Sequence, residues 1–312
     1  MPPIRVSYFT DPACPWSWAA EPALRALQTL FGEDLRITYI MGGLAREFGR
    51  PLEAMRHVMD AAEASTMPID PRLWLDHPPA SSYPACLAVK AAAEQGLDGP
   101  YLRAVREGLM ARRQKLDGSE SLTDVARRVP GLDAARFAID LRSNAIVEAF
   151  GADLDRAREA ALPGEPRVAL PSFRVTGADG IEHWVRDRFQ VAPLREAALA
   201  AGGEAASPPG VEEALRRFGA MGTAEVAGSA TSPARARRPS CGGWPPSGAS
   251  VRTACSPASC GRWREVVALR SCVAAAAASA DGIEGGRELG SSVTGRGGST
   301  FLSSSAARPL AY

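Results

Sequence analysis

Residues 4–9 form a short, mostly apolar run that is too brief for a helix, and it predicts a central strand. The period then changes. Ala19, Ala20, Ala23, Leu24, Leu27, Leu30 and Phe31 recur at helical spacing. Pro15 suits the first position of this helix, where its missing N–H has no intrahelical partner to lose. The helix is predicted to run from Pro15 to about Phe31 and to end at Gly32-Glu33-Asp34. Leu35, Ile37, Tyr39 and Met41 alternate with Arg36, Thr38 and Ile40, which predicts a second strand, parallel to the first through a right-handed crossover. Residues 51–161 read as almost wholly helical, in segments 51–65, 83–95, 100–115, 121–128, 133–139 and 143–161 divided by Gly, Pro and Asp. Ser121 and Asp124 have capping-box-like spacing, and Ser81 or Ser82 is the expected cap of the 83–95 helix.

Strand character returns at 166–175, followed by a turn at 177–180 and a hairpin partner at 181–185. A last helix is expected at 191–201, a linker at 205–210 and a short amphipathic helix at 211–218. From about Gly228 the sequence turns Ala-, Ser-, Gly-, Pro- and Arg-rich, without sustained apolar periodicity. Two readings fit that change: a disordered low-complexity tail, or a shift of reading frame.

Charge divides at the same place. Residues 1–227 hold 26 basic and 31 acidic side chains, whereas the tail holds ten Arg and four acids. The front of the chain is therefore an ordinary, mildly acidic surface that gives no argument for nucleic acid. No apolar window of about 18 residues suggests a membrane span, and no apolar secretory segment precedes the first strand. The expectation is a soluble, cytoplasmic protein whose thiols stay reduced.

The chemistry centres on Cys14. It stands where the first strand turns into a helix, and unpaired N–H groups at a helix start stabilise an anion. That placement predicts a lowered thiol pKa and a nucleophilic thiolate, against the plain alternative of a small buried hydrophobe. The motif is Cys14-Pro15-Trp16-Ser17, with no second cysteine. The Ser17 hydroxyl can hydrogen-bond a thiolate but cannot close a disulfide. Trp16 is expected to cover the thiol and Trp18 to anchor the helix. Cys86 has apolar neighbours that favour a packed, inert thiol, and Cys241, Cys255, Cys260 and Cys272 lie in the tail. His57, His77 and His183 make no metal-binding spacing, so no metal is expected. Gly42-Gly43 lacks the context of a phosphate loop.

The segment from Asp11 to Trp18, Asp-Pro-Ala-Cys-Pro-Trp-Ser-Trp, resembles the DsbA-like branch of the thioredoxin superfamily. It is similar in particular to the cytoplasmic group that includes FrnE-like oxidoreductases and YjbH/SpxH-type ClpXP adaptors. The stretch Ala169-Leu170-Pro171-Ser172-Phe173-Arg174-Val175 resembles that family's cis-proline segment, and Met41-Gly42-Gly43-Leu44 its turn after the second strand. The resemblance covers residues 4–202. It implies a thioredoxin fold with an inserted all-helical domain, residues 1–203 as the body and an insertion at about 45–162; composition and pattern add a linker and helix at 204–227 and a tail at 228–312. It also implies that the loop at Leu170 and Pro171 faces the thiol and offers the Leu170 backbone to extended peptides or to glutathione. The implied activity is thiol–disulfide exchange through Cys14 as a single nucleophile. No cofactor would be bound, and an outside thiol such as glutathione would complete the cycle. Two alternatives carry other functions: a protein-binding adaptor for a protease, or a glutathione-dependent kappa-type isomerase or transferase.

Overall fold

The computed structural model describes residues 4–231. Four strands, β1 (Ile4–Thr10), β2 (Leu35–Met41), β3 (Ser172–Thr176) and β4 (Glu182–Arg186), form one sheet in the order β2-β1-β3-β4. β1 pairs parallel with β2 and antiparallel with β3, and β3 pairs antiparallel with β4.

The helix after Cys14 is two helices, α1 (Pro15–Ala19) and α2 (Glu21–Phe31). Pro22 explains the break: it has no N–H to continue the helical ladder from Trp18, so the chain kinks at Ala20. The helical region holds α3 (Pro51–Ser65), α4 (Arg72–Asp76), α5 (Tyr83–Ala93), α6 (Asp98–Ala111), α7 (Ser119–Ala126), α8 (Ala134–Asp140) and α9 (Asn144–Glu159). Asp133 and Ser143 cap α8 and α9 with their side chains. α7 begins earlier than the Ser121–Asp124 spacing predicts. Gly118 holds its cap position, and the Ser121 hydroxyl donates to the Gly118 carbonyl. Ser82 occupies the cap position of α5, but its hydroxyl turns to Asp11, leaving Ser81 Oγ to accept from the Tyr83 amide at 3.1 Å.

The strand expected over 166–175 is confined to β3. Pro166 and Pro171 cannot donate to a ladder, and the Val168 amide bonds the Ala157 carbonyl instead. After the hairpin come α10 (Val191–Ala200), α11 (Val211–Phe218) and α12 (Thr223–Ser229). α12 runs through the composition change at Gly228. The expected tail from 232 onward, with Cys241, Cys255, Cys260 and Cys272, lies outside the described residues.

The pleat sends alternate side chains of β1 to opposite faces of the sheet. Tyr8 joins the large core, its ring stacked on Phe173 at 4.3 Å. Trp18, Trp74, Tyr101 and Phe137 are buried in the same core, where each such side chain is worth about 1.5–3 kcal/mol of apolar transfer. Phe9 faces the other way, into a smaller cluster with Cys14, Ile40, Ala157, Val168 and Leu170. The candidate site is built on this second cluster.

Candidate functional site

β1 delivers the chain to Thr10, and Asp11 turns it. Asp11 Oδ1 accepts the Ala13 amide at 2.8 Å, a side-chain turn that leaves Cys14 at the N-cap of α1. There Cys14 Sγ accepts the Ser17 amide at 3.4 Å and donates its proton towards the Leu170 carbonyl at 3.7 Å. The Leu170–Pro171 peptide bond is cis. Cys14, Ser17, Leu170 and Pro171 thus come together, with Pro15 opening the helix beneath them.

Trp16 packs on both hydrophobic clusters, with its ring 5.6 Å from that of Phe189, over a thiol that is only 2% exposed. Trp18 is buried and ties α1 to the helical region through Nε1, which donates to the Pro68 carbonyl at 3.1 Å. Gly42 lets the Leu170 side chain lie directly on backbone, since a Cβ there would sit 2.9 Å from Leu170 Cδ2.

The thiol differs from its sequence expectation. Burial pushes the Cys14 pKa up, and the Asp11 charge adds to the rise; the nearby Ser17 hydroxyl, the Ser17 amide and Arg106 work against it. α1 is a single short turn and its end is dry, so the loss of hydration outweighs the favourable helix terminus. Ser17 is buried, and its hydroxyl has no hydrogen-bond partner; its backbone N–H is what touches the sulfur.

Cys86 is fully buried, donates to Asp11 Oδ2 at 3.2 Å, and has its pKa raised well above the ordinary value, chiefly by burial. No group of three or more His, Cys, Asp or Glu side chains among the described residues is arranged to hold a metal ion. No helix among them is long and apolar enough to cross a membrane.

Sequence reasoning missed three charged residues. Asp11 reads there only as a turn former. Glu21 accepts from Arg106 Nη1 at 2.6 Å and from Arg103 Nη1 at 3.1 Å. Arg106 also reaches Thr10 Oγ1, and its Nη2 lies 3.5 Å from Tyr8 Oη, which itself donates to the Ser17 carbonyl. One signal was available. Arg106 falls in helical register with buried Leu102 and Leu109, so it interrupts an apolar stripe.

A thioredoxin family model matches residues 8–171. The ClpXP adapter protein SpxH of Halalkalibacterium halodurans is 34% identical over 169 residues, which cover 50% of this chain and 55% of that one. The ClpXP adapter protein SpxH of Shouchella clausii is 30% identical over 245 residues, 72% of this chain and 77% of that one. The chain thus spans little more than half the length of the first of these relatives. Among solved structures, a putative protein disulfide isomerase from Nitrosomonas europaea superposes with a TM-score of 0.55 at 15% identity, over 64% of this chain and 97% of that one. The cytosolic disulfide reductase DsbM from Pseudomonas aeruginosa gives 0.52 at 20% identity, over 64% and 97%. At these identities the structural likeness establishes the fold.

Proposed function

Because the chain belongs to the thioredoxin family and carries its DsbA-like form, we propose that it exchanges disulfides with extended protein partners through Cys14 alone. The observation that carries this reading is the Cys14 thiol at a helix N-cap, facing the Leu170 carbonyl at 3.7 Å beside the cis bond. In the resting site these two groups satisfy each other. A partner chain that pairs with the Leu170 backbone in β-fashion takes the carbonyl and releases the thiol. Cys14 then loses its proton to solvent, with the Ser17 amide and hydroxyl beside the sulfur to stabilise the thiolate. The thiolate attacks one sulfur of the partner's disulfide, an S–S bond forms to Cys14, and the other sulfur leaves as thiolate. Ser17 cannot resolve this mixed disulfide. An external low-molecular-weight thiol, glutathione or an equivalent, attacks the Cys14–partner bond and returns Cys14 as thiolate. Trp16 and Leu170 supply the apolar contact for the partner. The body that does this is assigned to residues 1–203, with 204–227 attached to it, in a compartment such as the cytoplasm that keeps thiols reduced.

The test is to incubate the protein with a disulfide-bonded peptide, without added thiol, and to look by mass spectrometry for an adduct on Cys14. An adduct that accumulates, is absent from Cys14→Ser and clears on adding glutathione is the expected outcome. No adduct between pH 7 and pH 9 sinks exchange as the function.

A second reading has its own support: the relatives named above are adapters, and the thiol is buried and hard to ionise. On that reading the same surface at Trp16 and Leu170 binds a protein partner and presents it to a protease, and Cys14→Ser leaves partner capture intact.

A further inference from the structure

Asp11 is fully buried, yet its carboxyl accepts four hydrogen bonds. Oδ1 takes the Ala13 amide at 2.8 Å; Oδ2 takes the Leu44 amide at 2.6 Å, the Ser82 hydroxyl at 2.8 Å and the Cys86 thiol at 3.2 Å. These donors come from three segments: the nucleophile's own loop, the loop after β2 and the start of α5. All four are neutral. These bonds favour the ionised carboxylate, which can accept from all four donors at once. A buried carboxylate without a counter-ion acts strongly on neighbouring charge, because little water screens it.

We propose that Asp11 raises the pH at which Cys14 becomes nucleophilic: its uncompensated charge adds to burial in holding the resting thiol protonated, while its hydrogen bonds fix the wall against which Leu170 lies. The inference rests on Cys14 being the reactive thiol. The wall is the Gly42-Gly43-Leu44 loop, anchored to Oδ2 through the Leu44 amide and in van der Waals contact with the Leu170 side chain at Gly42. Asp11 is therefore a positioning residue with an electrostatic role.

Other ionisable groups border the pair. Arg106 of α6 and Tyr8 of β1 face Cys14, with Glu21 of α2 beyond them. Cys86 of α5 faces Asp11, and Asp153 of α9, paired to Lys90 at 2.8 Å, lies beyond Cys86. Arg106 favours the Cys14 thiolate but is already engaged by Glu21. Asp11 is the charge left to oppose it. Two negative charges in this dry site are unfavourable, so ionisation of Cys14 becomes easier once the Asp11 charge is removed or weakened.

The experiment is pH-dependent alkylation by iodoacetamide on the full chain, with the Cys14 and Cys86 peptides quantified separately by mass spectrometry. Asp11→Asn keeps the shape and removes the charge. Its Cys14 midpoint should move to lower pH, and a shift of one unit would raise the rate near neutrality about tenfold. Asp11→Ser, which removes the charge and keeps a short polar side chain, should move it the same way. A purely structural Asp11 predicts no downward shift from either. An Asp11→Asn protein with native circular dichroism and an unmoved or raised midpoint overturns the inference. If that variant does not fold, an unmoved midpoint in a folded Asp11→Ser protein overturns it. Cys14 reactive in both proteins with one midpoint defeats the inference alone. Cys14 unreactive up to pH 10 in wild type and both variants defeats the functional reading, and this inference with it.

Discussion

Two buried carboxylates flank the first turn after the nucleophile, Asp11 before it and Glu21 after it, and they have been driven in opposite directions. Glu21 is 2% exposed and lies among Arg25, Arg103 and Arg106, whose charges hold its carboxyl down at about 2 although burial alone would raise it. Asp11 is equally dry and has only neutral donors, so burial wins and its pKa rises. Burial thus fixes the strength of the electrostatics, and the sign of the partner decides the direction. The floor of the site is charge-compensated and serves stability. Asp11, which anchors the wall, is uncompensated, and its charge opposes the Cys14 thiolate that Arg106 of the floor favours.

The sharpest way to break this contrast is Glu21→Gln. It leaves Arg106 buried without its nearest anion, and losing one partner of a buried ion pair costs about 3–5 kcal/mol. Urea denaturation should show that loss; a change below about 1 kcal/mol would mean that the floor is not compensated by Glu21.

Acid titration gives the next largest effect. Glu21 has a folded pKa below its unfolded value, so its contribution is present above about pH 4.5 and is lost as pH falls towards 2. That contribution is on the order of 3 kcal/mol from the size of the shift. Stability measured between pH 5 and pH 2 should fall in wild type and fall less steeply in Glu21→Gln. Asp11 has the opposite sign. Its folded pKa is raised, so its contribution is full below its ordinary range near 3.8 and declines as pH climbs through the folded value.

Asp11→Asn should therefore cost less than Glu21→Gln. One donor is left unpaired, at about 1–3 kcal/mol, and this is partly offset by removing a buried charge. A loss as large as that of Glu21→Gln would erase the distinction between wall and floor. Smallest of all, Gly42→Ala should cost about 1 kcal/mol or less. The atom it meets is the end of the flexible Leu170 side chain, which can turn away. Its signature is weakened partner adduct formation at near-normal stability, and unchanged adduct yield would count against Leu170 as part of the partner surface.

Much of the scaffold was legible because hydrophobic period reports it directly. β2, the helix Val211–Phe218 and most of the helical region follow from alternation or 3.6-residue spacing. The Cys14 motif and the Leu170–Pro171 segment were legible as short patterns in the right order. What escaped was long-range or unperiodic. α4 is five residues long, below any periodic signal, and α12 carries no apolar stripe; Glu225 ties it down instead. Asp11, Glu21 and Arg106 owe their roles to partners far along the chain, as Asp11 does to Ser82 and Cys86. The direction of the Cys14 pKa escaped for a related reason: a helix terminus can be read locally, but its dryness is made by Trp16, Leu170 and Phe9 together.

Glu225 has one further consequence. It is fully buried, and it grips Arg103 with both oxygens, at 2.6 and 2.9 Å, while Arg25 stands 3.6 Å away. On the ribosome, the three arginines of the floor emerge long before it, with Glu21 present but Glu225 still inside the exit tunnel. A nascent chain halted anywhere before α12, or a recombinant fragment trimmed after Phe218, leaves the floor with surplus positive charge. The nucleophile's end of the protein is therefore finished by the last helix that the described residues supply, and excising a minimal domain would remove part of its foundation.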